Sequence, residues 1–440
     1  LGLDRVALAS GLWCFVASAA LGYFAYEWHP HIPDEFAYLW HAAYLAEGTL
    51  HVPVPPVPEA FEAYLYWCEP EGCASPVPPG WPLMLAVGTF FGATWLVNPL
   101  LAGLIVLLAF ELLSAAYDRR TGRVGALLFA TSPWFLFVSM SVMTHNASLF
   151  WTTVAALAAA RLVRGSGPGW ALVGGIALGF VGWIRPLEGV ASSLAVGGVT
   201  LFCIGFRNRR AWTTCMALAA AAIIVGGGQL AYNARMTGDA LTFPINQYAD
   251  RALGPGVNAM GFGPDKGTSW GGLDPFPGHG LPDVIVNAAL NTTALNEETL
   301  GWSIGSLLLL GVFLLMRRRT DGSGPAPLDM AWLGGIGIIV FLHSFYWYSG
   351  GPDFGARYWY LTLLPILALT ARALVALPIA RTGRTLPVVA CLLCVGGTLL
   401  FVPWRAIDKY HDYRRMQPDV RELVKTLGPD KTLVLVRGRS

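Results

Sequence analysis

The feature that most constrains this chain is a succession of about eleven apolar stretches, each near the roughly 20 residues a helix needs to cross a bilayer's hydrocarbon core. They run at 6–26, 99–117, 124–143, 147–163, 170–184, 190–206, 211–231, 297–316, 330–347, 358–379 and 386–403. A chain of this kind folds as an all-α polytopic membrane protein, because in lipid every backbone polar group has to be satisfied within the segment. Composition agrees: 55% of the 440 residues are hydrophobic and 13% are charged, where soluble domains carry about 25% charged residues. The formal charge is +2, and Lys and Arg sit in short clusters between apolar stretches. That pattern argues against a nucleic-acid partner and marks topology instead.

Cytoplasmic loops are rich in Lys and Arg. With Arg5 inside, the clusters Arg119, Arg120 and Arg123; Arg161 and Arg164; Arg207, Arg209 and Arg210; Arg317, Arg318 and Arg319; and Arg381 and Arg384 all fall on the cytoplasmic side. This holds if 81–97 lies at the outer interface, since a crossing there would invert every later loop. The expectation is a multi-pass protein of the inner (plasma) membrane, surrounded by membrane lipids, with its active face extracytoplasmic. One transmembrane module is expected over 1–403, with long outer loops at 27–98 and 232–296 and short outer segments at 144–146, 185–189 and 348–357.

The first outer loop carries a predicted helix from Asp34 to Glu47 and a polyproline-like run from His51 to Pro58. The second is rich in Gly, Pro and Asn and reads as an ordered loop. Residues 404–440 read as the start of a small extracytoplasmic segment, truncated at Ser440, with a strand at 432–436. The absence of Met at Leu1 suggests a chain trimmed at its start. Cys68 and Cys73 share an outer segment, where an oxidising compartment would permit a disulfide. Cys391 and Cys394 lie in an apolar stretch and are read as packed side chains.

Pro33-Asp34-Glu35 follows the first span, and helical spacing puts Asp34, Tyr38 and His41 on one face. Two accounts fit the acids. Acidic residues after a Pro complement the dipole of a helix's first turn; alternatively, a carboxylate on a rigid interfacial helix serves as a general base. Glu35 replaces or assists Asp34 in the second account, their side chains pointing about 100° apart on a helix. Arg185 and Arg357 stand at outer helix ends, where an arginine either snorkels to headgroups or clamps a phosphate through its planar fork. His145 is part of a tight interhelical turn or a contact to a phosphate or sugar. Tyr64, Tyr66, Trp67 and Trp270 suit sugar stacking, although aromatic belts are common at interfaces. No His or acidic pair has the spacing of a metal motif, so no obligatory metal and no cofactor are expected, while His and carboxylates of the first loop could bind a metal.

Together these residues resemble the C-type glycosyltransferase superfamily, in particular the bacterial relatives of protein O-mannosyltransferases and aminoarabinose transferases. The resemblance rests on Pro33-Asp34-Glu35-Phe36-Ala37-Tyr38, Ser75-Pro76-Val77-Pro78-Pro79-Gly80-Trp81-Pro82-Leu83, Ser132-Pro133-Trp134-Phe135-Leu136 and Met143-Thr144-His145. To these it adds Arg185-Pro186, Tyr232 through Asp239, Gly261 through Pro264, and Phe354-Gly355-Ala356-Arg357-Tyr358. It implies a polyprenyl-phosphate-linked sugar donor, transfer with inversion to an extracytoplasmic acceptor hydroxyl, Asp34 as base and Arg357 as phosphate ligand. Arg185 and His145 would assist. Two other readings stay open: a non-catalytic accessory subunit of a membrane assembly with the same fold, and a lipid or solute transporter. Against the transporter, the polar residues gather at one surface rather than mid-membrane, and no repeat is evident.

Overall fold

The computed structural model describes residues 4–61, 63–268, 274, 276–315, 327–376, 385–416, 424 and 426. The basic clusters at 317–319 and 381–384, Trp270 and the expected strand at 432–436 lie outside these residues. The chain begins with α1 (Arg5–Phe24), then α2 (Pro33–Ala46), the hairpin β1 (Trp67–Glu69) and β2 (Gly72–Ala74), and α3 (Gly80–Phe90). There follow α4 (Val97–Ala116), α5 (Arg119–Ala130), α6 (Pro133–Met140), α7 (His145–Val163), α8 (Gly169–Ile184), α9 (Pro186–Ile204) and α10 (Arg209–Thr237). The chain continues with α11 (Pro244–Ala252), α12 (Leu281–Glu298), α13 (Leu308–Leu315), α14 (Pro327–His343), α15 (Leu363–Ala376) behind a 3-10 turn at Arg357–Thr362, and α16 (Thr385–Gly396). Among the described residues seven helices are long and apolar enough to cross a membrane. The pair α5–α6, bent by 58°, makes an eighth. The bend falls where Ser132 caps α6 and Pro133, lacking an N–H, opens it.

Ion pairs tie alternate helix ends together at one side of the bundle. Asp4 accepts from the N–H groups of Val6 and Ala7, capping α1, and the same carboxylate pairs with Arg119 and Arg123 of α5 at 2.9 Å each. Arg161 near the end of α7 pairs with Glu111 of α4 at 2.9 Å. Arg210 at the start of α10 donates to the carbonyl of Leu162 at 2.9 Å. Arg372 in α15 pairs with Asp329 in the first turn of α14 at 3.4 Å. The start of α2, the α6–α7 corner, the α8–α9 corner and the Arg357 turn meet elsewhere, around a cavity described below.

α3 spans about 17 Å at 1.5 Å per residue, too short for a core of about 30 Å. It lies close against the end of α8: a Cβ on Gly80 would come within 2.6 Å of the Trp183 backbone. The Trp81 indole donates to the Val142 carbonyl at 2.7 Å. The 81–97 stretch thus holds a helix too short to cross by itself, which ends at Phe90 ahead of α4 at Val97.

Three segments differ from the sequence reading. The second long loop carries more helix than expected: α10 runs on to Thr237, and α11 and α12 follow. Flanking Gly, Pro and Asn obscured α12, whose start is held by Asp283 accepting from the Gly280 N–H at 2.8 Å. The span expected at 297–316 is interrupted, because α12 ends at Glu298 and the next apolar helix begins at Leu308. At the other end, helical turns continue beyond residue 403 to Tyr410, whose buried ring packs under Phe354.

Candidate functional site

Pro33 opens α2 with a fixed φ and no lost N–H bond, and the two acids behind it take opposite environments. Asp34 keeps a side chain 32% exposed and faces a cavity of about 340 Å³. Glu35 departs from its expected part in that site. It is fully buried, accepting from the Tyr26 hydroxyl at 2.7 Å and the His31 N–H at 2.9 Å on one oxygen, and from the Val142 N–H at 3.2 Å on the other. The physical reason is the helical offset between successive residues, which turns Glu35 into the α1–α2 turn and the α6–α7 corner. Burial raises its carboxyl to about 7, against the lowering effect of those hydrogen bonds.

Arg357 comes to the same cavity from the far end of the chain. The turn before it contains Gly350, Gly351 and Gly355 at φ of +105°, +70° and +61°, a region open to glycine at no steric cost. The guanidinium is 6% exposed, and its Nη1 lies 3.6 Å from an Asp34 carboxylate oxygen. Nε and Nη1 of Arg357 have no hydrogen-bond acceptor among the described residues. Charged donors without a hydrogen bond at such depth are costly, and here they border an open cavity.

Arg185, between α8 and α9, pairs through Nε with Glu188 at 2.6 Å and donates from Nη1 to His145 Nε2 at 3.0 Å. The Arg185 and Arg357 guanidiniums both approach the ring of Tyr358, at 4.8 and 5.7 Å from its centroid. The cavity is thus bordered by Asp34, Tyr38, Arg185, Glu188, Arg357 and Tyr358. Burial, helped by the Asp34 charge, holds the Tyr38 phenol above its ordinary range.

Two expected contacts lie behind this wall. His145 is buried at the start of α7 and reaches the cavity through Arg185, not directly. His41, one turn beyond Tyr38, stacks on Tyr44 with centroids 4.9 Å apart and faces Tyr232 of α10, where burial lowers its imidazole to about 3. Its position on the Asp34 face is right, but α10 covers that end of the helix. Tyr66 stacks on Trp40, and Trp67 bonds Glu69, away from the cavity.

The sequence reading missed the second loop's contribution. Asn246 and Asn258 line the cavity, and Asn258 accepts from the Tyr346 hydroxyl at 2.6 Å. His343 and Tyr346 also line it. The run Tyr346-Trp347-Tyr348 just before Gly350 was the available signal, and it resembles an ordinary interfacial belt. Among the described residues no three His, Cys, Asp or Glu side chains gather in a metal-binding group.

No family model matches the chain, and no curated protein matches it by sequence. Among solved structures, it is similar to ArnT from Cupriavidus metallidurans bound to undecaprenyl phosphate, with a TM-score of 0.55 and 14% identity over 89% of this chain and 63% of that one. It is also similar to the Archaeoglobus fulgidus oligosaccharyltransferase in its apo form, with a TM-score of 0.53 and 12% identity over 94% of this chain and 59% of that one. The same oligosaccharyltransferase in complex with zinc and sulfate gives a TM-score of 0.51 and 13% identity over 94% and 56%. The chain therefore spans less than two thirds of the length of these proteins. The likeness is one of fold: the chain shares the membrane-embedded helical architecture of these structures.

Proposed function

We propose that this chain is a membrane glycosyltransferase that moves a sugar from a polyprenyl-phosphate donor to an extracytoplasmic hydroxyl, with inversion. The observation that carries the reading is the Arg357 guanidinium, buried with two nitrogens unbonded, beside the part-exposed Asp34 carboxylate in one cavity.

Asp34 takes the proton of the acceptor hydroxyl as its oxygen attacks the anomeric carbon. The bond from that carbon to the phosphate oxygen breaks, and its electron pair leaves on the polyprenyl phosphate. Arg357 and Arg185 neutralise the departing charge by charge-assisted hydrogen bonds. A single displacement inverts the anomeric centre. Tyr38 borders the reacting groups, and His145 and Glu188 orient Arg185.

The walls also suit a lipid tail. An apolar groove of about 150 Å³ is lined by Ala191 and Val196 of α9, Ile339 of α14 and Leu364 of α15, and α9 and α14 also border the polar cavity. The solved ArnT structure holds undecaprenyl phosphate, which supports a donor of this class. The Cys68–Cys73 disulfide across β1 and β2 and the basic helix ends both favour an extracytoplasmic site in the inner membrane.

The test is transfer by the purified protein from undecaprenyl-phosphate-linked sugars to extracytoplasmic lipids, glycans and peptides. Turnover that disappears in Asp34→Asn supports the reading. Donor binding without turnover in any acceptor pool would favour an accessory subunit, and donor translocation in vesicles without transfer would favour a transporter.

A further inference from the structure

The segment after the last span reaches back over the turn that delivers Arg357. Arg405 and Lys409 bring their side chains to one Glu298 oxygen, at 2.7 and 3.4 Å. Glu298 in turn fills the space beside Gly355, where a Cβ would run into its carboxylate. Tyr410 is buried and stacks on Phe354, their centroids 5.5 Å apart, and the Trp134 indole donates to the Phe354 carbonyl at 2.8 Å.

Further along, Arg414 donates from Nε and Nη2 to one oxygen of Asp353, at 3.1 and 2.7 Å. The Tyr413 hydroxyl donates to the same oxygen at 2.6 Å. The Asp353 side chain is 4% exposed and that of Arg414 45% exposed, so the arginine closes over a buried acid from the solvent side. The backbone here is strained: Asp412, Arg414 and Arg415 hold φ of +50°, +55° and +60°, the left-handed region that L side chains avoid. Such conformations persist where surrounding contacts over-determine them, and the hydrogen bonds from Tyr413 and Arg414 to Asp353 are such contacts.

We propose that Asp353 and Arg414 are positioning residues. The segment after the last span clamps the 349–356 turn in the shape that presents Arg357 beside Asp34, so donor affinity depends on a contact outside the cavity. This rests on the reading that Arg357 binds the donor phosphate.

The experiment titrates undecaprenyl phosphate against the full chain by native mass spectrometry, in wild type, Arg414→Ala, Arg357→Ala and the double variant. Arg414→Ala is expected to weaken binding about tenfold in the wild-type background and to add nothing when Arg357 is absent, since coupled residues are non-additive. Arg414→Lys, which keeps the charge, should recover part of the loss. Tyr413→Phe, which deletes one hydroxyl, should show a smaller loss of the same pattern and serves if Arg414→Ala does not fold. If Arg357→Ala weakens binding while the Arg414 and Tyr413 variants bind as wild type, the clamp is wrong and the phosphate reading stands. Losses that multiply in the double variant overturn the clamp too, by showing a general contribution to the fold. Unchanged binding in Arg357→Ala overturns the phosphate reading and the clamp together.

Discussion

Asp34 and Arg357 stand 3.6 Å apart at one cavity, the first on α2 and the second on the turn before α15. That separation is an ion pair without a full hydrogen bond, which leaves both groups able to engage a ligand. In the proposed reaction this couples them, since a phosphate that draws Arg357 away would free the carboxylate to act as base.

Asp34→Asn tests that division of labour. The amide cannot take a proton from the acceptor, so kcat is expected to fall roughly 10²–10⁴-fold, the usual worth of a general base. Donor affinity should hold or rise, because a negative charge beside the phosphate ligand is gone. A transfer assay with a parallel binding titration separates the two quantities. Turnover of the Asp34→Asn variant at the wild-type rate would end the proposed mechanism.

Arg357→Ala should cost at least about 2 kcal/mol of donor affinity, as truncating one partner of a buried charge-assisted contact does. Arg357→Lys should recover little of it, since an ammonium lacks the planar fork. Thermal shift with undecaprenyl phosphate reads the difference, because a ligand bound to the folded state alone raises its stability with concentration. An unaltered shift in both variants would remove Arg357 from the site.

Glu35 gives a prediction about pH. Its folded-state value of about 7 lies above the ordinary 4.5, so the folded chain holds the proton more tightly than the unfolded chain. Its stabilising contribution is full below about pH 4.5 and is lost as pH rises through about 7, a change of up to about 3 kcal/mol. Buried His31 and His41, lowered to about 4 and about 3, act in the opposite direction. The difference between wild type and Glu35→Gln isolates the acid: the wild type's relative stability should decline between about pH 5 and about pH 8. Transfer by the glutamine variant should continue, in contrast to Asp34→Asn. Thermal unfolding followed by tryptophan fluorescence across that range measures the first, and a difference independent of pH would contradict the assignment.

The sequence made the spans legible because hydrocarbon thickness fixes their length. It also singled out Asp34, Arg185 and Arg357, which come to one cavity in the fold, since a polar residue at an apolar helix end stands out against its neighbours. Sequence could not separate Asp34 from Glu35. Adjacent residues differ by a rotation whose meaning depends on the corner at Val142, far along the chain. His41 failed for a related reason: helical spacing gave its face correctly, but α10 supplies the cover through Tyr232. Asn246 and Asn258 were hidden because a Gly- and Asn-rich segment carries no period from which a lining residue can be read.

The hairpin offers a test of orientation that does not depend on chemistry in the cavity. Cys68 and Cys73 face each other across β1 and β2 and form a disulfide. Closing so short a loop contributes about 2 kcal/mol to the bonded form, and an oxidising compartment is needed to keep it. The hairpin carries Glu69, which pairs with Arg251 of α11, so loss of the disulfide should loosen the contact between the two long loops. In intact cells, a membrane-impermeant maleimide should label these cysteines only after reduction, and Cys68→Ser should unfold at lower temperature than wild type. Labelling that needs no reductant but requires a permeabilised membrane would place the hairpin, and with it Asp34, on the cytoplasmic side, reversing the orientation proposed from the arginine clusters.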